Sequence, residues 1–194
     1  MQFVRLFMVS SMCVVAGRCF TPYTPTQQSF RLHKIVPDII PVGPPNQLRV
    51  LYPSGVMLTI GAKTKPYYID EQPSIVEYRC PKISFNLLIM IDFDEPAFGH
   101  YRERERVHWL VVNMEADDVS SGQTLIEYGM FPVMFEGPHR YAFLMYQQPW
   151  VFGFDIPYID AETIEGRNNF SIADFSTKYH LNNPLWGAIW INTF

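Results

Sequence analysis

Three long apolar runs restrict how this chain can fold more than any other feature: ISFNLLIMIDF (residues 83–93), VHWLVVNM (107–114) and RYAFLMYQ (140–147). Each reads as a β-strand buried on both faces. Shorter strand signals surround them. QLRVLY (47–52) alternates up to the turn signal Pro53-Ser54-Gly55, and VMLTI (56–60) resumes the alternation, so the pair predicts a hairpin. SIVEY (74–78) and GAIWINTF (187–194) predict two further strands, and FSIADFSTKY (170–179) predicts a short helix with Ser171 as its N-cap. Sixteen prolines argue for many turns and against long helices. The expected fold is mainly β, an antiparallel two-sheet sandwich in one domain, with one or two short helices.

The amino terminus is different in kind. MQFVRLFMVSSMCVVAGRCF (1–20) has one early arginine, an apolar stretch, and the small residues Ala16 and Gly17. Over residues 1–19 this predicts a secretory signal peptide, too short to span a bilayer as a stable anchor. A mitochondrial transit peptide is the alternative, because no acidic residue precedes Asp38. Residues 20–31 (FTPYTPTQQSFR) read as a flexible arm, and 32–194 as the folded domain. Of three cysteines, Cys13 and Cys19 fall in the leader region, so no disulfide framework is implied for Cys80. A secreted chain would carry a usable glycosylation sequon at Asn169-Phe170-Ser171. A formal charge of −4 leaves no basic footprint for nucleic acid.

Polar residues gather at the ends of the buried strands. Burying an imidazole costs roughly 1–3 kcal/mol unless it is paired, and the chain does so twice, at His108 and His139. Strand alternation puts Asp92 and Asp94 on one side, His108 with Leu110 and Val112 on one side, and His139 with Tyr141 and Phe143 on one side. Two aspartates, two histidines and a tyrosine are thereby expected to converge at one end of a sheet. The ordinary alternative is that each histidine is a core residue bonded to a backbone carbonyl. No metal-ligand spacing fixes the histidines, and no nucleophile motif supports a hydrolase. Neither metal, cofactor nor catalytic residue is expected. The run YRERER (101–106) alternates in charge and reads as a solvated loop or edge, with anion capture by its arginines as the functional alternative.

These blocks are recognisable together. DFDEP (92–96), the histidine strand VHWLVVNM, and GPHRY (137–141) resemble, in order and separation, the three signature blocks of the phosphatidylethanolamine-binding protein family. Similarity extends roughly from Leu32 to Trp190. The resemblance implies an antiparallel β-sandwich with a small anion-sized pocket that binds phosphate-like head groups. It implies that Asp92, Asp94, Pro96, His108, Pro132, Gly137, His139 and Tyr141 line that pocket, with Arg106 and Trp190 at its border. Imidazoles and the Tyr141 hydroxyl would meet phosphate oxygens, while the aspartates orient the histidines or meet a ligand amine.

The chain also departs from the family pattern. Phe93 replaces a proline, Glu95 a small residue, and Arg106 an aromatic one. FPVMF (131–135) puts bulky side chains where the family is rich in glycine and proline. The sequence ends at Phe194, where many members continue into a helix beside the pocket, so a more open or partner-covered site is expected. The reading is a secreted, non-enzymatic binding protein for a small anionic, phospholipid-like or amphipathic ligand. Its alternative is a protein-interaction module, of kinase- or protease-inhibitor type or mitochondrial-ribosome-associated.

Overall fold

The computed structural model describes residues 23–95, 105–129 and 137–192. The leader, Pro96, Pro132 and the 131–135 segment lie outside these residues. The elements are α1 (Pro25–Leu32), β1 (Asn46–Gln47), β2 (Arg49–Leu51), β3 (Met57–Leu58), β4 (Ala62–Thr64), β5 (Ile75–Glu77), β6 (Phe85–Asp92), β7 (Arg106–Glu115), β8 (Gln123–Ile126), β9 (His139–Gln148), α2 (Ile172–Lys178) and β10 (Trp186–Asn192).

A large sheet runs β1-β10-β9-β6-β7-β8, with β4 also pairing β10, and a small sheet runs β3-β2-β5. The long central pairs β6·β7, β6·β9 and β9·β10 are antiparallel, while β1 and β4 lie parallel to β10. Why the three apolar runs are apolar on both faces is now visible. One face of the large sheet, through Leu87, Ile89, Ile91, Ala142 and Leu144, packs on Phe30 of α1 and on Ile172 and Phe175 of α2. The other, through Leu88, Met90, Trp109, Phe143 and Trp190, packs on Leu48, Val50 and Leu58. Each such side chain, fully buried, contributes about 1.5–3 kcal/mol.

Two expectations change. The arm expected over 20–31 is helical from Pro25. Thr24 accepts from the Gln27 amide at 3.3 Å and the Gln27 side chain accepts from the Thr24 amide at 3.0 Å, a capping box. Pro25 suits the first helical turn, and Phe30 anchors the helix by full burial. Polar, proline-punctuated composition hid a helix held down by one aromatic residue. The alternating 47–52 stretch is also divided, with Gln47 in the large sheet and 49–51 in the small one. The predicted hairpin is present as β2·β3, and Ser171 caps α2 by accepting from the Asp174 amide at 3.1 Å.

Candidate functional site

The site is built where β6, β7, β9 and β10 meet, on the small-sheet face of the large sheet. Along β9, His139, Tyr141 and Phe143 alternate onto this face; along β10, Ala188, Trp190 and Asn192 do. Register sets Trp190 opposite Tyr141, and Asn192 opposite His139. Asp92, opposite Tyr141 on β6, shares the face with Leu88 and Met90. The rings form a continuous stack: His139 on Tyr141 at 6.3 Å between centroids, Tyr141 on Trp190 at 5.4 Å, and Trp190 on Phe143 at 5.5 Å.

His108 reaches the same face by a route that alternation alone does not predict. Met90 pairs with Trp109, and the next pair is Ile91 with Val107, so His108 is an extra residue opposite nothing on β6. This β-bulge cancels one step of the alternation. Val107 therefore packs into the helix-side core, and His108 turns away from Leu110 and Val112 to meet the Tyr141 ring at 5.4 Å. The expected grouping of His108 with Leu110 and Val112 is corrected by the bulge. The bulge is clamped. The His108 carbonyl accepts from the Gly129 amide at 3.0 Å, and the Gly129 carbonyl accepts from His108 Nδ1 at 2.7 Å. Arg167, fully buried, donates to the carbonyls of His108 (3.1 Å), Val107 (3.4 Å), Glu127 (2.9 Å), Thr163 (2.6 Å) and Asp160 (2.6 Å). Burial lowers its pKa to about 10, which leaves it cationic.

The two histidines are held by unlike partners. Burial drives the His108 pKa down to about 4, against an opposing pull from Asp92 and the Gly129 carbonyl, so the ring is neutral. With Nδ1–H given to Gly129, Nε2 carries the lone pair. His139 Nδ1 lies 2.7 Å from Asp92 Oδ2. Burial opposes its charge, yet Asp92, then Glu95 and Asp94, outweigh that and raise its pKa. Tyr141 is kept a neutral phenol, by burial first and then by the Asp92 charge.

Asp94 does not share a face with Asp92, because the strand ends at Asp92. The Asp92 carboxylate accepts the Asp94 amide at 2.8 Å, and Asp94 binds Arg140 in a forked pair of 2.6 and 2.7 Å. Arg140, next to His139 in sequence, leaves β9 on the opposite face, and its Nη1 also donates to the His33 carbonyl at 2.6 Å. The two departures Glu95 and Arg106 prove to be partners, 2.7 Å apart and both buried. Glu105 is buried as well, and accepts the Ile172 amide at the start of α2 at 2.8 Å. Residues 105 and 106 are thus not the solvated edge expected of the charged run, since each has a buried polar partner. Gly137 has φ +120°, a conformation glycine alone adopts freely, two residues before His139. Asp92, Glu95 and His139 bring potential cation ligands within 4.8 Å of one another. A metal there would have to displace Arg106 from Glu95 and the shared proton between Asp92 and His139.

Four buried groups of this face have polar atoms without a well-formed hydrogen bond among the described residues: His108 Nε2, Trp190 Nε1, the Tyr141 hydroxyl, and both amide atoms of Asn192, with the Tyr141 hydroxyl close enough to Asp92 and Asn192 for both to act on its pKa. Asn192 and Arg167 were missed by sequence reasoning. Alternation along GAIWINTF would have put Asn192 beside Trp190, whereas nothing local marks Arg167.

The comparisons with known proteins agree with this architecture. The sequence pattern described as phosphatidylethanolamine-binding protein matches residues 72–188. The chain is 31% identical over 157 residues to a putative odorant-binding protein A5 of Drosophila melanogaster, covering 80% of this chain and 74% of that one. It is 27% identical over 156 residues to a 26 kDa secreted antigen of Toxocara canis, covering 79% and 58%. A solved phosphatidylethanolamine-binding protein from Plasmodium vivax superposes with a TM-score of 0.69 at 18% identity, covering 89% and 99%. The chain belongs to the phosphatidylethanolamine-binding protein family.

Proposed function

We infer that the protein is a non-enzymatic binding protein whose site takes a small anionic head group of the phosphate type, free or borne by a lipid. The observation that carries this reading is the cluster of buried polar atoms without well-formed hydrogen bonds on His108, Tyr141, Trp190 and Asn192, beside His139, whose pKa Asp92 raises. Buried polar atoms are ordinarily paired, and leaving one unpaired costs about 1–3 kcal/mol. Four groups left so on one face are accounted for by a ligand that pairs with them. His139, whose pKa Asp92 raises by holding Nδ1, is the imidazole that can carry positive charge; Tyr141 and Trp190 supply neutral donors. Asp94 acts one step back, tying Arg140 and so the start of β9. Among the described residues the imidazoles bond to the Gly129 carbonyl and the Asp92 carboxylate rather than to a hydroxyl or thiol, which supports binding rather than turnover.

Secretion fits the leader, and a secreted antigen and an odorant-binding protein are among the relatives. Asn169 is exposed and has φ 58°, in a turn open to a glycan. Among the described residues no helix is long and apolar enough to cross a membrane.

The test is an NMR titration of the mature protein with phosphoethanolamine, observing the ring signals of His108 and His139. Saturable shifts in both, lost in His108→Ala and His139→Ala proteins that still fold, are expected. Unmoved rings at millimolar ligand would refute an anion site. For secretion, expression in eukaryotic cells should release a shortened chain glycosylated at Asn169; an intracellular chain with Asn169 bare would sink that part.

A further inference from the structure

Filling the site is a matter of hydrogen-bond donors as well as charge. The carboxylates around it are each bonded to a basic side chain: Asp92 to His139, Asp94 to Arg140, Glu95 to Arg106. Those pairs treat any small anion alike, so discrimination between anions falls to the neutral polar atoms, which divide by what they need. Trp190 Nε1 can only donate, and the Tyr141 hydroxyl can donate and accept. Asn192 offers one donor and one acceptor whichever way its amide is turned. It lies opposite His139 and two residues past Trp190, whose ring stacks on Tyr141, so strand alternation puts it on the face of the site. His108 Nε2 presents a lone pair, because the Gly129 carbonyl, which can only accept, has taken the Nδ1 proton at 2.7 Å. Two buried acceptors, His108 Nε2 and Asn192 Oδ1, therefore await a proton from whatever enters.

Resting on the anion site argued above, we propose that His108 and Asn192 make it select anions that bring their own hydrogen-bond donors. The class is protonated phosphate, or a phosphate ester bearing an amine or hydroxyl. An anion of the same shape without a proton leaves both acceptors unpaired in a buried site, and is rejected. Asn192 is thereby a specificity-determining residue on the last strand, and the bulge at β7 exists to aim the second acceptor.

The experiment titrates the full mature chain, by calorimetry and by the His139 ring signal, with inorganic phosphate, sulfate and phosphoethanolamine. Phosphate keeps at least one P–OH through the neutral range, and sulfate has none. Phosphate and phosphoethanolamine should saturate, with sulfate roughly tenfold or more weaker, the cost of leaving buried acceptors unpaired. Asn192→Leu should narrow the phosphate-to-sulfate ratio by bringing the two affinities together. Asn192→Ala serves the same purpose if the leucine variant does not fold. Sulfate binding as tightly as phosphate, or a ratio indifferent to both substitutions, overturns the donor requirement while leaving an anion site. Absence of binding by all three ligands removes the anion site and the inference with it.

Discussion

His108 and His139 lie against the same Tyr141 ring from strands on either side of β6, yet the protein holds them by opposite means. At the head of β9, ionic partners do the holding: Asp92 on the His139 ring and Asp94 on neighbouring Arg140. At the bulge of β7 the partners are backbone dipoles, with the Gly129 carbonyl on the ring and Arg167 gathering the carbonyls around it. A carboxylate stabilises an imidazolium, whereas a lone carbonyl in a dry environment cannot offset desolvation. The fold thus raises the pKa of one imidazole and lowers that of the other on one face of the sheet, using the same residue type twice.

The contrast can be attacked first where the ionic end is strongest. Asp94→Ala leaves Arg140 buried without its carboxylate, and guanidinium cannot shed its proton, so a loss of about 3–5 kcal/mol is expected. Asp92→Ala should cost less, on the order of 1–3 kcal/mol, because His139 can become neutral. Urea denaturation of the two variants checks the order, and equal losses would break the distinction between an ion that can discharge and one that cannot.

Next in size is the dependence on pH, where the histidines pull in opposite directions. For His108 the folded pKa of about 4 lies below the unfolded value near 6.5, so the unfolded state binds the extra proton. Its contribution is present above pH 6.5 and is lost as pH falls toward 4, about 3 kcal/mol in all. For His139 the folded pKa is raised, so its contribution is present below about 6.5 and is lost as pH rises through the folded value. In unfolding curves taken across this range, His108→Gln should flatten the acid side only and His139→Gln the alkaline side only. The same limb changing in both variants would end the comparison.

A smaller effect tests the carbonyl clamp. Arg167→Met should cost about 1–3 kcal/mol through carbonyls left unpaired. It should also release His108 from its single tautomer, a change seen in ring nitrogen NMR that mere loss of stability would not produce. A His108 ring unchanged in that variant would show that Gly129 alone sets it. The smallest expected effect serves as a reference: Arg49→Ala, breaking an exposed pair with Glu77, should cost no more than about 0.5 kcal/mol.

Much of the fold was legible. Within 83–93, 107–114 and 140–147 the doubly buried strands read correctly, except that the first begins at Phe85 and leaves Ile83 exposed, because both faces of the large sheet are covered, which leaves no room for polar alternation. Ser171 was readable because capping chemistry is local. The 25–32 helix was overlooked although its Thr24–Gln27 capping box is just as local, because only one large apolar side chain, Phe30, marks a buried face.

The site divides along the same line. Sequence by itself determined which blocks belong together, that two imidazoles are buried, and that His139 and Tyr141 share a face, because strand alternation is a property of neighbouring residues. Tertiary structure alone decided which way His108 faces, that Asp94 belongs to Arg140, that Glu95 and Arg106 neutralise one another, and that Asn192 lies opposite His139. Each depends on a bulge, a strand ending or a cross-strand register. Such features arise from the pairing of segments as far apart in sequence as His139 and Asn192, and no local spacing encodes them.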